Sequence, residues 1–428
     1  MNRLAILQLQ VFIRIVPLLS LLVATSVDAA NADHVKRLKE TRQCEGCDLV
    51  NANLRGFFLE KANLKGANLR GANLNGANLK GAYLKQSNLK GADLRNANLE
   101  DANLDGALLE GTKLRNSLIS DRTVMAKKWQ LVRLLVNQGA GDQDLTAADL
   151  QDAYLADADL RNAKLAEANL EGAIIETAMV SGANLTQSNL QRSSFFMSDL
   201  RTANLTLGNL KHSSFRSTDL RGANLDRANL SQIDLSNSYL QTANLNSATV
   251  NNANFTNAQL NNANLTQATF RRTNLRSTDW REANLTGVRF LDSDLTGADL
   301  SQANLSQATV QGSRLEATRM SGIKLNAANL SGLNLQGTDF SGSDLHQVDL
   351  SNTNLQGVTL QNANLSGAIL RNVNLSKADL SGANLQGAVL TQSNLSGANL
   401  TNAILTEAVL DRTNLCGATM PDGRKVRC

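Results

Sequence analysis

Proline is almost missing from this chain: of 428 residues only Pro17 and Pro421 are proline, and none lies between them. A backbone whose donors are all needed for a continuous ladder would show that gap. Aromatic residues make up 4% of the chain, and there are three histidines, His34, His212 and His346. The last two are 134 residues apart, so no metal or nucleophile constellation uses them jointly, and solvated surface histidines are expected. Neither a GxxxxGK nor a GxGxxG loop occurs, which leaves no nucleotide cradle. The balance of 42 basic against 38 acidic residues excludes both a strong polyanion and a basic nucleic-acid binder. Long apolar runs are missing too, apart from Ile15 to Val27.

What is present is a beat of five. In "KANLKGANLRGANLNGANLKGAYLKQSNLK", residues 61 to 90, Leu falls at positions 64, 69, 74, 79, 84 and 89. Two residues before each Leu sits Ala or Ser, and between them an outward polar residue, usually Asn. A helix turning about 100° per residue would smear this pattern over its whole surface. A continuous strand, with period two, would flip every second Leu to the other side. Small-in, polar-out, Leu-in is instead a very short strand, followed by two residues that turn a corner. Gly66, Gly71, Gly76, Gly81 and Gly91 crowd those corners. Successive coils then stack as parallel strands about 4.8 Å apart, and only stacking makes a core.

The phase is kept over most of the chain. All 14 centre positions from Leu49 to Leu114 are Leu, and all 56 from Leu145 to Met420 are Leu, Ile, Val, Phe, Trp or Met. The small inward position from Ala148 to Ala418 is Ala, Ser, Thr or Gly at 48 of 55 sites. The exceptions are Ile233, Val288, Ile323, Leu333, Val348, Val358 and Val373.

The tandem A-N/D-L-x-x pattern resembles the pentapeptide repeat family, over residues 48–119 and 143–420. The resemblance implies an all-β fold, a right-handed quadrilateral parallel β-helix with four repeats per coil. At that count the rod would be roughly 80 Å long.

The ends carry different signals. Arg3 and Arg14, the apolar run and the small residues of "SVDAANADH" read as an export signal over residues 1–32, cleaved after Ala30 or Ala32. The alternative is an uncleaved membrane anchor. Residues 33–47 read as an N-terminal helical cap with a helix starting at Asp33, and residues 421–428 as a C-terminal tail. Both would cover open strand edges. Cys44 and Cys47 lie at one end, Cys416 and Cys428 at the other, an even count that in an exported chain reads as two disulfides.

One interruption breaks the beat. Leu114 to Leu145 is 31 residues, one more than six repeats, and residues 120–142 read as a helical insertion. Asp121 is the candidate N-cap, Gly139 the stop, and Met125, Trp129, Val132 and Val136 the apolar stripe, with Lys127, Lys128 and Arg133 off it. The helix bridges two solenoid segments, or docks a partner.

Two columns invite chemistry. Residues 20 apart stack on one side, which aligns Asp159, Asp199, Asp219, Asp279, Asp299, Asp339 and Asp379. Arg161, Arg201, Arg221 and Arg281 lie two residues on, and an ion-pair ladder between coils accounts for both columns. Asp279 and Asp299 remain a cation-site candidate, because residue 301 is Ser. The second feature is a basic zone of Arg55, Lys61, Lys65, Arg70, Lys80, Lys85, Lys90 and Arg95. It offers an anionic partner or a membrane surface, or is simply solvated. No catalytic residue and no cofactor is indicated.

The expected function is that of a non-enzymatic exported rod that binds or spaces proteins in a periplasm or thylakoid lumen. Its protein partners are not legible, dimerisation through a solenoid end stays open, and nucleic acid is not expected. The resemblance also implies an alternative, since some pentapeptide repeat proteins mimic DNA and protect gyrase with a strongly acidic surface. A cation-assisted carbohydrate enzyme built on Asp279 and Asp299 is the third.

Overall fold

The computed structural model describes residues 29–141 and 143–428, so the export signal read over residues 1–32 falls mostly outside the described residues. Outward residues 20 positions apart are bridged in parallel, from Gln43 with Asn63 to Asn399 with Thr419. An interval of 20 is four repeats, so each coil has four sides. The centre Leu donates its N–H to the next coil, as Leu49 does to the Asn68 carbonyl at 2.8 Å and Leu365 to that of Asn384 at 2.7 Å. Ala62, Leu64, Ala67 and Leu69 have no solvent exposure. The core is a column of such pairs.

The corners explain the rest of the repeat. Three residues after each centre an N–H returns to the centre's carbonyl, as Ala52 does to Leu49 at 3.0 Å. The residue before it is left-handed, which suits Gly66 (φ 61°) but is also the conformation of Asn51 (55°) and Lys61 (56°). The outward Asn or Asp fixes the other half of the corner. Asn78 Oδ1 accepts the Lys80 N–H at 3.1 Å, a turn made by the side chain. Its amide also joins neighbouring coils, as Asn244 Nδ2 donates to Asn224 at 2.9 Å and Asn264 to Asn244 at 3.0 Å.

On one side of the long segment the corner bond is replaced. Thr273 turns its N–H to Ser293 Oγ at 3.2 Å, and Ser293 to Ser313 Oγ at 3.0 Å. The strands there lengthen to three residues: β1 (Thr249–Asn251), β2 (Thr269–Arg271), β3 (Arg289–Leu291) and β4 (Thr309–Gln311), parallel and in sequence order. Their centres Val250, Phe270, Phe290 and Val310 are in register. Phe270 meets Phe290 at 5.2 Å and Trp280 at 5.8 Å between ring centres, so aromatic volume fills this stretch of core.

A helix, α1 (Ala32–Thr41), covers the first coil. It begins one residue before the expected Asp33 because Asn31 caps it, its Oδ1 accepting from the N–H groups of Asp33 at 3.0 Å and His34 at 3.2 Å. Leu38 is fully buried against the coil. His34 is not the solvated histidine expected: its Nδ1 accepts the Asp48 N–H at 3.0 Å and ties α1 to the coil. Both disulfides are formed, Cys44 to Cys47 and Cys416 to Cys428, with Cα separations of 5.2 and 4.7 Å. The second holds the tail as an antiparallel partner of the last side, with Val426 donating to Ala418 at 2.9 Å.

The interruption differs from its sequence reading. The helix α2 is Lys127–Gln138, and Asp121 does not cap it; the position before it is Ala126, with no side-chain cap. The coil runs on instead, since Val124 bridges Asn103 at an interval of 21, absorbing one extra residue. Gly139 ends the helix at φ 75°. Trp129, Val132, Leu135 and Val136 are buried in the common core. Off-stripe Arg133 is engaged as well, its Nε donating to the Ser117 carbonyl at 2.8 Å, and burial lowers its pKa.

Candidate functional site

The Asp column is the best lead for chemistry, and arginines already grip several of its carboxylates. Arg201 grips Asp199 with Nε to Oδ1 at 2.8 Å and Nη2 to Oδ2 at 2.7 Å, while its own N–H donates to Oδ1 at 3.1 Å. Arg161 on Asp159, Arg221 on Asp219 and Arg281 on Asp279 repeat this fork. The expected ladder between coils is therefore mostly a set of pairs within single repeats. The outward carboxylate is already pinned by the backbone N–H two residues on, and that same residue's guanidinium is the nearest one. Within the column, contacts between coils are longer: Arg201 to Asp219 at 3.8 Å and Arg319 to Asp299 at 3.5 Å. The Arg hydrogen bonds hold the carboxyls of Asp159, Asp199 and Asp279 below the usual range.

Asp279 and Asp299 do stack on adjacent coils. Each already faces a guanidinium, from Arg281 and Arg319 respectively, where a cation would need open carboxylate. Among the described residues, no group of three or more His, Cys, Asp or Glu is placed to hold a metal ion.

The basic zone is matched in the same way, but along the rod. Lys80 reaches Glu100 at 2.9 Å, Lys85 reaches Asp105 at 2.8 Å and Lys90 reaches Glu110 at 3.4 Å, each one coil on. Lys65 turns back to Glu45 at 3.1 Å, and Arg95 forks onto Asp93 at 2.7 Å. The hydrogen bonds that Lys80 and Lys85 donate to Glu100 and Asp105 raise the pKa of both lysines. Arg55, Lys61 and Arg70 share the zone and are exposed.

A cleft that the sequence did not announce lies where the two segments meet. Arg95, Lys113, Arg115, Val136, Tyr154 and Asp157 line it. Arg115 spans the junction, donating from Nη2 to the Ala156 carbonyl at 2.9 Å and facing Asp157 at 3.5 Å. Lys113 Nζ lies 5.3 Å from the centre of the Tyr154 ring, and burial raises the Tyr154 pKa. The cleft forms only when residues 41 positions apart meet, so no local motif carries it; the single phase shift was its one trace.

Two family models match most of the repeats. One, described as pentapeptide repeats, matches residues 43–81, 77–116, 144–178, 348–387 and 383–420; another, a pentapeptide repeat region, matches 223–300 and 290–365. The chain belongs to the pentapeptide repeat family. As a member it is a right-handed quadrilateral β-helix, in two segments with two helices. No curated protein matches it. Among solved structures, this pentapeptide repeat protein is similar to HetL of the cyanobacterium Nostoc sp. strain PCC 7120, a protein involved in heterocyst differentiation regulation. That pair shares 32% identity over 57% of this chain and 91% of HetL, with a TM-score of 0.17. A thylakoid-lumen pentapeptide repeat protein of Arabidopsis thaliana is 32% identical over 22% of this chain and 70% of that one, with a TM-score of 0.16. QnrB1, a plasmid-mediated fluoroquinolone resistance protein, is 20% identical over 42% of this chain and 83% of that one, with a TM-score of 0.20.

Proposed function

We propose that this pentapeptide repeat protein is an exported, non-enzymatic rod that binds or spaces other proteins, in a periplasm or a thylakoid lumen. The observation that carries the reading is the pair of disulfides closing the two ends, with no free cysteine among the described residues. Such bonds persist in oxidising compartments. Export also fits the start of α1. Cleavage after Ala30 keeps Asn31 as the helix cap, whereas cleavage after Ala32 would remove it. Between the ends, the side-chain forks and intercoil pairs leave a rigid surface of mixed, largely matched charge. That surface argues against the gyrase-protecting alternative, which needs a strongly acidic one.

The test is the intact mass of the protein from its native cells, with and without reduction, followed by crosslinking in the same fraction. The reading expects a chain beginning at Asn31 that gains two protons per disulfide on reduction, and that crosslinks to other proteins. A full-length, fully reduced chain would overturn it.

A further inference from the structure

Several lysines of the first segment find a carboxylate one coil away, as Lys80 does in Glu100 and Lys85 in Asp105. Lys113 is placed for the same pairing, since it stacks on Asp93 in the parallel ladder. Both oxygens of that carboxylate are already held by Arg95, from Nε at 2.8 Å and from Nη2 at 2.7 Å. On its other side Lys113 meets the Tyr154 ring at 5.3 Å, and no ion pair reaches its ammonium among the described residues. Arg115 is only loosely matched. Its Nη1 lies 3.5 Å from Asp157 Oδ2, while Asp157 Oδ1 accepts the Thr177 hydroxyl at 2.5 Å. The Tyr154 hydroxyl makes no hydrogen bond among the described residues, and buried Leu114 and Val136 complete the lining. Arg95, Lys113 and Arg115 thus stand against Asp93 and Asp157, leaving one positive charge over. Lys113, Arg115 and Tyr154 are half-buried, so water screens that excess less than it would on the open sides of the rod.

We propose that this cleft binds a small oxyanion, a carboxylate or a phosphate, held by Lys113, Arg115 and the Tyr154 hydroxyl. A guanidinium and an ammonium facing one space suit an anion with more than one oxygen, each taking a charge-assisted hydrogen bond. The cleft measures about 310 Å³, room for a small molecule or one anionic group. A surplus of one charge fits such a group and not a polyanion. Lys113 and Arg115 come from the first segment and Tyr154 from the second, so the ion would also brace the joint between them.

Calorimetric titration of the purified chain, both disulfides intact, tests this with inorganic phosphate and with acetate, each against sodium chloride at matched ionic strength. Saturable binding of one or both oxyanions beyond that of chloride is expected, and the one preferred tells a phosphorylated ligand from a carboxylate. Lys113→Met removes the ammonium and keeps the apolar stem, and should weaken binding by about tenfold or more. Tyr154→Phe should weaken it by about fivefold. Lys80→Met, outside the cleft, should leave it within about twofold. In the unaltered chain, amide exchange at Gly111, whose N–H bonds the Asp152 carbonyl across the joint, should slow as phosphate or acetate saturates. No saturable binding of either oxyanion beyond chloride would overturn the proposal. So would equal losses in Lys113→Met and Lys80→Met, or saturation that leaves exchange at Gly111 unchanged. No other protein is present, so failure here is separate from failure of the rod reading.

Discussion

At the N-terminal end Leu49 and Leu54 have no exposure and Leu59 has 1%, beneath a helix whose Leu38 is itself fully buried. At the other end Leu405, Leu410, Leu415 and Met420 stay partly open, beneath a short tail held by one disulfide. The same repeat stands at both ends, so the difference is made by the flanking segments rather than by the repeat itself. A helix laid across the end supplies apolar cover for the whole square. A tail returning as one strand supplies backbone partners for one side. The two ends therefore differ in kind: one is closed over by a helix, and the other keeps part of its last coil exposed.

The largest effect should come from removing the cover. Leu38→Ala should destabilise the first coil by about 2–5 kcal/mol, the cost of emptying a fully buried leucine site. In a stack of nearest-neighbour units the damage stays local, so it is best read as faster amide exchange at Leu49 and Leu54 with Leu365 and Leu385 unchanged. Next, the pair Cys416→Ser and Cys428→Ser should release the tail, at about 3 kcal/mol for a loop of this size. Limited proteolysis should then cut at Arg424 or Lys425 while α1 resists. A smaller change, Asn31→Ala, removes both cap bonds and should cost about 1 kcal/mol, seen as fraying at the start of α1.

Acid should have the smallest effect and blur rather than sharpen the contrast, because it acts along the sides. Asp159, Asp199 and Asp279 have folded pKa values below the ordinary carboxylate value. Their contribution is present above the unfolded pKa and lost as pH falls through the folded one. Stability should thus be flat near neutrality and decline only in acid, with the decline reduced in Arg281→Gln. The pairs are solvent-exposed, so thermal melts should move only slightly.

The repeat made most of the fold legible, because an inward–outward–inward triplet every five residues leaves no other regular structure. Where the structure departs from expectation, a local cue had outweighed the triplet. Asp121 before an apolar stripe looked like a helix cap, yet Thr123, Val124 and Met125 already form a small–outward–apolar triplet, one residue out of phase. Counting with an allowed shift would have found it. The Asp and Arg columns were visible, but not which guanidinium each carboxylate would take, since an arginine reaches two residues along a strand or one coil away. The backbone N–H held by the same Asp decided that. The corner role of the outward Asn was also missed, because periodicity marks it only as exposed. The open C-terminal end was not legible at all. It depends on how far a short tail can reach.

The joint has a mechanical consequence. Bonds between coils run along the rod, so a pull on its two ends loads them in series and parts coils singly, like turns of a spring. Most junctions resist with a full set of backbone bonds. Between the two segments, among the described residues, a single one joins coil to coil directly, from the Gly111 N–H to the Asp152 carbonyl at 2.8 Å. The rest of that junction includes the seat of α2, the Ala140 N–H donating to the Asp159 carbonyl at 2.9 Å, the reach of Arg115, and Lys113 against the Tyr154 ring. Under tension the rod should give first there, as a built-in weak link between two stiff arms.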